Sequence, residues 1–415
     1  MAFELEEALR AVVEMGGSDL HLKVPAPPLV RLHGGLVPIE NAPILSQEDT
    51  ERFLREMLTD AERFADFQRD GEIDFSHTVT GLARYRVNAF RQRGSISIVF
   101  RVVPFAIRSI PELELPPVIG KLADAERGLI LVTGTTGSGK STTLAAMVDH
   151  INSNHAKNIV TIEDPIEYLH KDKTSVVHQR EIGFDTKNFP QALRRALRQD
   201  PDVILIGEMR DEETVGTALS AAETGHLVLS TLHTIDAVET LNRIIDFFPP
   251  HHHQQIRAML AGSLQGVISQ RLIPTVDGKG RVAACEILTM TGRVRDMIVD
   301  AKETGKLGEA IGDGTYYGMQ TFDQALLHLH SQGKISMDDA LKAATHPHDF
   351  KLLVASGGQR SSGVEQVFSP EHKSVSEAPP GEQRRREADE RSPQRPANGR
   401  PPAGPSGPPP VRTGS

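Results

Sequence analysis

The sequence predicts an α/β protein in which a parallel sheet, covered by helices on both faces, follows a smaller α+β domain. Short apolar runs alternate with helical segments after residue 112, whereas strands joined by turns prevail before it. Residues 356–415 have too few large apolar residues to form a core. We therefore expect domains at 1–112 and 113–355, followed by a disordered tail at 356–415.

The first domain is predicted to combine helices with an antiparallel sheet. Helical spacing covers residues 4–14, and capping boxes at Ser46 with Asp49 and at Thr59 with Glu62 mark two further helix starts. Strand-like runs occupy residues 19–24, 72–79, 83–90 and 95–103, with a hairpin within 28–39 around two glycines.

The second domain alternates apolar strands at 128–133, 159–163, 203–207 and 226–231 with helices at 141–152, 190–198 and 212–223. Short, continuous apolar strands are typical of a parallel sheet that is buried on both faces. Residues 236–348 are predicted to be mostly helical, with one strand at 282–289.

Composition excludes several classes of protein. The formal net charge is −9, so we expect no broad surface for nucleic acid. Cys285 is the one cysteine among 415 residues, which excludes an internal disulfide and a cysteine-based zinc site. No apolar run approaches the roughly 20 residues that cross a bilayer, and the acidic start is unlike a secretory signal. We expect a cytoplasmic protein.

The tail combines many prolines with few large apolar residues. It holds 11 of the 27 prolines of the chain. Ordering each backbone residue costs about 1–2 kcal/mol, and the tail has nothing to bury against that cost. Its three arginines at 384–386 could bind an acidic surface or a membrane, but a solvated linker is the simpler interpretation.

One stretch matches the phosphate-binding pattern G-x-x-x-x-G-K-[ST] between a predicted strand and a predicted helix. Backbone N–H groups of such a loop surround a phosphate, Lys140 brings positive charge to it, and the Ser141 hydroxyl can bind Mg²⁺. We therefore predict a site for ATP and Mg²⁺ formed by Gly134, Thr135, Thr136, Gly137, Ser138, Gly139, Lys140, Ser141 and Thr142.

Two acidic residues follow or end predicted parallel strands. Glu163 ends the second strand of the domain, and Glu208 follows the third. Ligands of parallel sheets bind at the carboxyl ends of the strands. One carboxylate could therefore activate water while the other holds hydrated Mg²⁺, although solvated loop residues remain the alternative.

Histidines give less specific signals. His226 and His233 bracket the fourth strand, and His233, at its carboxyl end, can reach a γ-phosphate. His226 can equally be a structural residue. The three histidines at 251–253 are predicted to begin a helix rather than bind a metal, because consecutive residues diverge around a helix.

Several motifs make the sequence resemble the secretion ATPase superfamily, most closely the retraction ATPases of type IV pili. They are GTTGSGKST at 134–142, TIEDPIEY at 161–168, LIGEMRD at 205–211, ETGHLVLSTLHT at 223–234, GGSDLHL at 16–22 and GLARYRVNAF at 81–90. The resemblance covers residues 2–350. It implies a PAS-like N-terminal domain, a RecA-like P-loop ATPase core and a homo-hexameric ring that binds ATP between the two domains.

The resemblance also implies roles for single residues. Glu163 would be the catalytic base, and Glu208 would be the Walker B glutamate near Mg²⁺. His233 would sense the γ-phosphate, with His226 as its companion.

Arginines of the first domain have two interpretations. Period-two alternation places Arg84 and Arg86 on one face of a strand, and Arg101 lies on the next strand. From the residues alone, a salt-bridged sheet surface is the preferred interpretation. The resemblance implies instead that Arg86 and Arg101 reach the nucleotide.

The implied function is Mg²⁺-dependent ATP hydrolysis that turns an inner-membrane pilus platform protein from its cytoplasmic face and so retracts the pilus. Pilus assembly and type II secretion ATPases carry a long N-terminal extension and a four-cysteine zinc module, which this sequence lacks. Residues 293–298 read RVRDMI where retraction enzymes have AIRNLI. This departure leaves an accessory retraction paralogue, or another secretion ATPase, as the alternative.

The remaining expectations concern partners. Membrane association is expected only through the platform protein, and paralogous pilus ATPases are further candidate partners. A nucleic-acid translocase on the same core is the least favoured alternative, because the chain is acidic and has no tryptophan.

Overall fold

The computed structural model describes residues 3–32, 34–103 and 106–355, and this part of the chain forms two β-sheets. The first is a six-stranded antiparallel sheet in the order β3-β2-β1-β6-β5-β4. Its strands are β1 (Asp19–Leu22), β2 (Leu29–Leu32), β3 (Gly35–Pro38), β4 (Glu72–Val79), β5 (Ala83–Gln92) and β6 (Ser95–Val103). The strands predicted for the first domain are therefore confirmed, with ends shifted by no more than two residues where they differ.

Three helices pack against this sheet: α1 (Leu5–Glu14), α2 (Gln47–Met57) and α3 (Ala61–Asp70). Tyr85, Val87 and Ala89 alternate into the core that these helices share with the sheet. The capping box of Ser46 and Asp49 is confirmed at the start of α2. The predicted cap of α3 is wrong by one residue, because the Asp60 carboxylate accepts the Glu62 N–H at 2.9 Å.

The second sheet has seven strands within the described residues, in the order β13-β12-β7-β11-β10-β8-β9, and only β13 runs antiparallel. The strands are β7 (Gly128–Thr133), β8 (Asn158–Glu163), β9 (Val176–Glu181), β10 (Val203–Ile206), β11 (Leu227–Leu232), β12 (Leu264–Pro274) and β13 (Arg281–Thr289). The predicted parallel sheet is thus confirmed.

Helices cover both faces of this sheet. Along β7, Leu129 and Leu131 pack into one hydrophobic cluster, whereas Ile130 and Val132 pack into the cluster on the opposite face. The helices of this part are α4 (Val118–Ala123), α5 (Lys140–Asn154), α6 (Phe189–Ala196), α7 (Glu212–Glu223), α8 (Ala237–Asp246), α9 (His253–Ser263), α10 (Gly292–Val299), α11 (Leu307–Asp313), α12 (Phe322–Ser331), α13 (Met337–Ala343) and α14 (Pro347–Ala355). Burial on both faces explains why the strands are continuous apolar runs.

Two strands were missed by the sequence prediction. The strand β12 begins at the residue after α9 ends, so no turn residue separates the helix from the strand. The strand β9 lies at the edge of the sheet and is only partly buried, so it lacks the apolar run of its neighbours. The segment at 236–348 is predicted to be mostly helical. This prediction is wrong in part, because the segment contains a long antiparallel pair of strands, β12 and β13.

The remaining predictions concern the histidine run, membrane-spanning segments, the tail and the domain boundaries. The histidine run forms a 3₁₀ turn (Pro250–His252) and the first residue of α9, as predicted. None of the described helices is long and apolar enough to cross a membrane. The predicted disordered tail lies outside the described residues, and the boundaries between domains stay a prediction.

Candidate nucleotide-binding and catalytic site

The site lies where four neighbouring parallel strands end. The strands β7, β11, β10 and β8 are adjacent in the sheet and run in the same direction, so their carboxyl ends meet at one edge. A cleft of about 500 Å³ opens there. Its lining includes Lys140 and Ser141 of the glycine loop, together with Glu163, Glu208 and His233, which the sequence analysis placed at the ends of three different strands.

Glycines shape the loop that connects β7 to α5. Gly134, Gly137 and Gly139 have φ angles of 140°, 80° and 95°, a region that other residues rarely adopt. A Cβ atom on Gly134 would lie 2.5 Å from the Ser138 Oγ and 2.6 Å from the Gln270 carbonyl oxygen. The loop is therefore closed so tightly that glycine is required at its first position.

Lys140 begins α5 and folds its side chain back across the loop. Its Nζ donates to the carbonyl oxygens of Gly134 at 2.7 Å and Thr135 at 3.0 Å. Burial lowers the pKa of Lys140. Among the described residues, the ammonium group bonds only neutral acceptors, so an anion at the start of α5 would be a strong additional partner.

Neighbouring hydroxyl groups complete the loop. Ser138 Oγ is buried and has no hydrogen-bond partner among the residues that the structure describes. Ser141 is exposed and lines the cleft. Thr142 Oγ1 lies 2.9 Å from the hydroxyl of Tyr168, which joins α5 to the segment after β8.

Glu163 is the last residue of β8 and is held by three donors. Its Oε1 accepts from Thr161 Oγ1 at 2.7 Å and from Gln179 Nε2 at 3.1 Å, while its Oε2 accepts from the Glu167 N–H at 3.4 Å. Burial raises the pKa of Glu163, and the donors lower it in part. A carboxylate with a raised pKa is a stronger base, and Oε2 is the oxygen with the weaker existing bond.

Glu208 lies two residues beyond the end of β10, next to His233 at the end of β11. His233 Nε2 lies 3.2 Å from Glu208 Oε2, and Arg210 forms an ion pair with the other carboxylate oxygen. Burial lowers the pKa of His233, and the charges of Lys140 and Arg210 lower it further.

Three predicted residues, His226, Arg86 and Arg101, lie outside both this cleft and its glycine loop. His226 precedes β11, and seven residue steps of roughly 3.3 Å along the strand separate it from His233 by about 23 Å. Its Nδ1 donates to the Ala221 carbonyl at 3.0 Å, so the ring ties the end of α7 to β11. His226 therefore does not line the cleft, and its predicted role beside the nucleotide stays a prediction.

Arg86 and Arg101 lie opposite each other on β5 and β6, and neither lines the cleft. Arg101 Nε donates to Asp19 Oδ1 at 2.9 Å, within the first sheet. The shared face predicted for Arg84 and Arg86 is confirmed, and Arg84 contacts the second sheet through Glu181 on β9. A role for Arg86 and Arg101 at the nucleotide stays a prediction.

Sequence reasoning missed Gln179, which organises the segment after Glu163. Besides Glu163, its side chain bonds the Tyr168 carbonyl at 2.8 Å and the His170 N–H at 2.8 Å. It was missed because β9, on which it lies, was not predicted. The signal in the sequence is weak, since a polar residue on a half-exposed edge strand is common.

The residues of the cleft fit a magnesium nucleotide. The tight glycine loop and the Lys140 ammonium group, which bonds neutral carbonyl oxygens, suit a bound phosphate. The Ser141 hydroxyl and the Glu208 carboxylate are hard oxygen ligands of the kind that Mg²⁺ prefers. The fold and the site define a P-loop NTPase with a RecA-like core, preceded by a small α+β domain.

Comparison with known proteins identifies the family within this class of P-loop NTPases. Residues 109–311 match the family described as Type II/IV secretion system protein. The type IV pilus retraction ATPase PilT of Pseudomonas aeruginosa is 46% identical over 84% of this chain and 100% of that protein. The chain belongs to this family of secretion and pilus ATPases.

Two further proteins bear on function. The type IV pilus ATPase PilU of Pseudomonas aeruginosa is 43% identical over 86% of this chain and 92% of that protein. A crystal structure of the pilus retraction motor PilT with bound ADP is 44% identical, with a TM-score of 0.79, over 85% of this chain and all of the other. The chain is thus similar along its described length to ATPases of type IV pili.

Proposed function

We propose that this chain is the Mg²⁺-dependent, ATP-hydrolysing motor that powers retraction of type IV pili. The proposed ATP hydrolysis rests on one observation: Glu163 lines the same cleft as the loop residues Lys140 and Ser141. Similarity to the retraction ATPase, over nearly the whole described chain, supports the pilus part.

Each residue of the cleft has a distinct task in hydrolysis. Lys140 and the loop N–H groups bind the β- and γ-phosphates, and they hold the charge that develops during transfer. Glu163 Oε2 accepts the proton of the attacking water. Glu208 and Ser141 would hold Mg²⁺, which would neutralise phosphate charge. His233 orients Glu208 through its Nε2.

The proposal extends to assembly and location. Six copies would form a ring in which nucleotide binds between the domains at 1–112 and 113–355, and hydrolysis would rotate one domain against the other. The ring would act in the cytoplasm, at the inner membrane, on the platform protein of the pilus. Arg86 and Arg101, which do not line the cleft of the single chain, would reach a nucleotide in the assembled ring.

The second candidate is the accessory retraction ATPase. The RVRDMI segment forms most of α10, where Arg293 pairs with Asp313 at 3.0 Å and Arg295 donates to the Ala261 carbonyl at 3.1 Å. Both arginines are therefore engaged in contacts within the chain. The departure from AIRNLI at this helix favours the accessory assignment, whereas the slightly higher identity to the retraction ATPase favours the first.

The test compares surface pili and twitching in a deletion strain that is complemented with wild type or with Glu163→Gln. A retraction motor predicts excess, immobile pili that only the wild type corrects. Loss of pili on deletion would instead indicate assembly, and unchanged pili would support the accessory role. Purified Glu163→Gln should bind ATP like wild type, with at least about 100-fold slower turnover.

A further inference from the structure

A buried ion pair joins the first sheet to the second. Arg84 Nη2 on β5 donates to Glu181 Oε2 on β9 at 2.8 Å, and the side chains are 14% and 5% exposed. Ser76 Oγ on β4 donates to the other oxygen, Oε1, at 2.5 Å. Exposed ion pairs contribute little, but a buried carboxylate with two donors from another sheet is a specific contact.

The same carboxylate also holds the segment that follows the catalytic glutamate. Glu181 Oε2 accepts the Ile166 N–H at 3.2 Å, and Ile166 lies three residues after Glu163. Ile166 itself is buried. One oxygen of Glu181 therefore bonds both Arg84 of the first sheet and the backbone of the Glu163 segment.

The strand β9 supplies a second tie to this segment. Gln179 and Glu181 are two residues apart on β9, so they lie on the same face. Gln179 bonds the Glu163 carboxylate directly, while Glu181 bonds the backbone beyond it. Movement of β9 or of Glu181 would consequently change how Oε2 of Glu163 is aimed.

We propose that Glu181 is a positioning residue through which Ser76 and Arg84 of the first sheet hold the Glu163 segment in its geometry for activating water. This inference rests on the proposed ATPase function and deepens it. A domain movement that separates Arg84 from Glu181 would release the segment and slow hydrolysis. The ion pair thus couples the position of the first sheet to the orientation of the Glu163 carboxylate.

The first test measures the segment itself, independently of activity. Hydrogen–deuterium exchange is followed in the full chain for a peptide that contains Ile166, in wild type, Arg84→Gln and Glu181→Gln. We expect exchange to become about 10-fold faster in both variants, because the Ile166 N–H loses or loosens its acceptor. Arg69→Gln removes an exposed arginine whose ion pairs stay within α3, and it should leave this peptide unchanged.

The second test separates positioning from folding. For Arg84→Gln and Glu181→Gln, we expect kcat for ATP to fall about 10-fold while KM stays within about twofold, since binding uses the loop and positioning acts on the chemical step. The double variant should lose no more than either single variant. Arg84→Lys, which keeps the charge, should recover part of the lost kcat. Ser76→Ala provides a milder variant if the others melt at low temperature.

Two outcomes overturn the proposal. One is an unchanged exchange rate at Ile166 in Arg84→Gln and Glu181→Gln, and the other is additive losses of kcat in the double variant. Wild-type protein that binds ATP without hydrolysing it would overturn the proposed function, whereas the exchange measurement would still decide whether Arg84 and Glu181 hold the segment.

Discussion

His233 Nε2 lies 3.2 Å from Glu208 Oε2, so the carboxyl ends of β11 and β10 are joined by their side chains. Burial lowers the pKa of His233, and the charges of Lys140 and Arg210 lower it further, so the neutral ring is favoured. A neutral imidazole has one N–H, and a carboxylate only accepts. The proton is thus assigned to Nε2, which leaves Nδ1 as an acceptor.

The first prediction concerns the phosphate loop. Lys140→Ala should weaken ATP binding about 10- to 100-fold, because a charge-assisted bond to phosphate contributes about 1.5–3 kcal/mol. The Lys140→Ala variant should fold like wild type, because among the described residues the ammonium group bonds two backbone carbonyls and no side chain. Titration with a fluorescent nucleotide, with exposed Lys121→Ala as control, checks the first point. Equal affinity in both variants would contradict the role of Lys140.

The second prediction compares two glycines of this loop. Gly134→Ala should lower the free energy of unfolding by about 2–4 kcal/mol, because a Cβ would clash with Ser138 and with the Gln270 carbonyl. A Cβ on Gly137 would meet open space. Gly137→Ala should therefore lower the free energy of unfolding by only about 1 kcal/mol, because the residue has a positive φ. Urea denaturation of both variants measures the difference, and equal midpoints would show that the loop relaxes freely.

The third prediction concerns the pH dependence of turnover. Burial raises the pKa of Glu163, and the base works only when ionised, so kcat should fall as the pH drops through a value above 4.5. Thr161→Val removes a donor that lowers this pKa, and the acid limb should move up by about one pH unit. Rates on the alkaline plateau should match wild type and serve as the internal control. An acid limb that does not move would remove Glu163 as the titrating group.

The fourth prediction concerns stability. Burial raises the pKa of Glu286 to about 7, with the neighbouring carboxylate of Asp236 adding to the effect. The native carboxyl thus binds its proton more tightly than the unfolded chain does, so the free energy of unfolding should fall as the pH rises from about 4.5 to about 7.

Glu286→Gln tests this titration directly, because the amide cannot ionise. The variant should resemble wild type at pH 5 and be more stable than wild type at pH 8, with urea midpoints as the measurement. Glu309→Gln removes an exposed carboxylate and is the matched control. A parallel pH dependence in Glu286→Gln and wild type would assign the effect to other groups.

Much of the fold follows from local patterns. Alternation along β5 predicted its two faces, and the buried, apolar strands β7, β8, β10 and β11 predicted the parallel sheet. The strands β9 and β12 escaped prediction, since one is a half-exposed edge and the other continues directly from a helix. Local sequence patterns reflect whether residues are buried. The strands β9 and β12 are formed instead by pairing with strands that are distant in the sequence, which local patterns do not show.

The sequence alone determined where phosphate chemistry can occur. The glycine loop is a local motif, and Glu163, Glu208 and His233 end strands whose direction the alternation with helices predicts. Only the tertiary structure decided which other side chains serve this edge. Gln179 contacts Glu163, Arg84 rather than Arg86 contacts Glu181, and His226 lies at the far end of β11. The energies of these contacts depend on distance and burial, which spacing in the sequence does not encode.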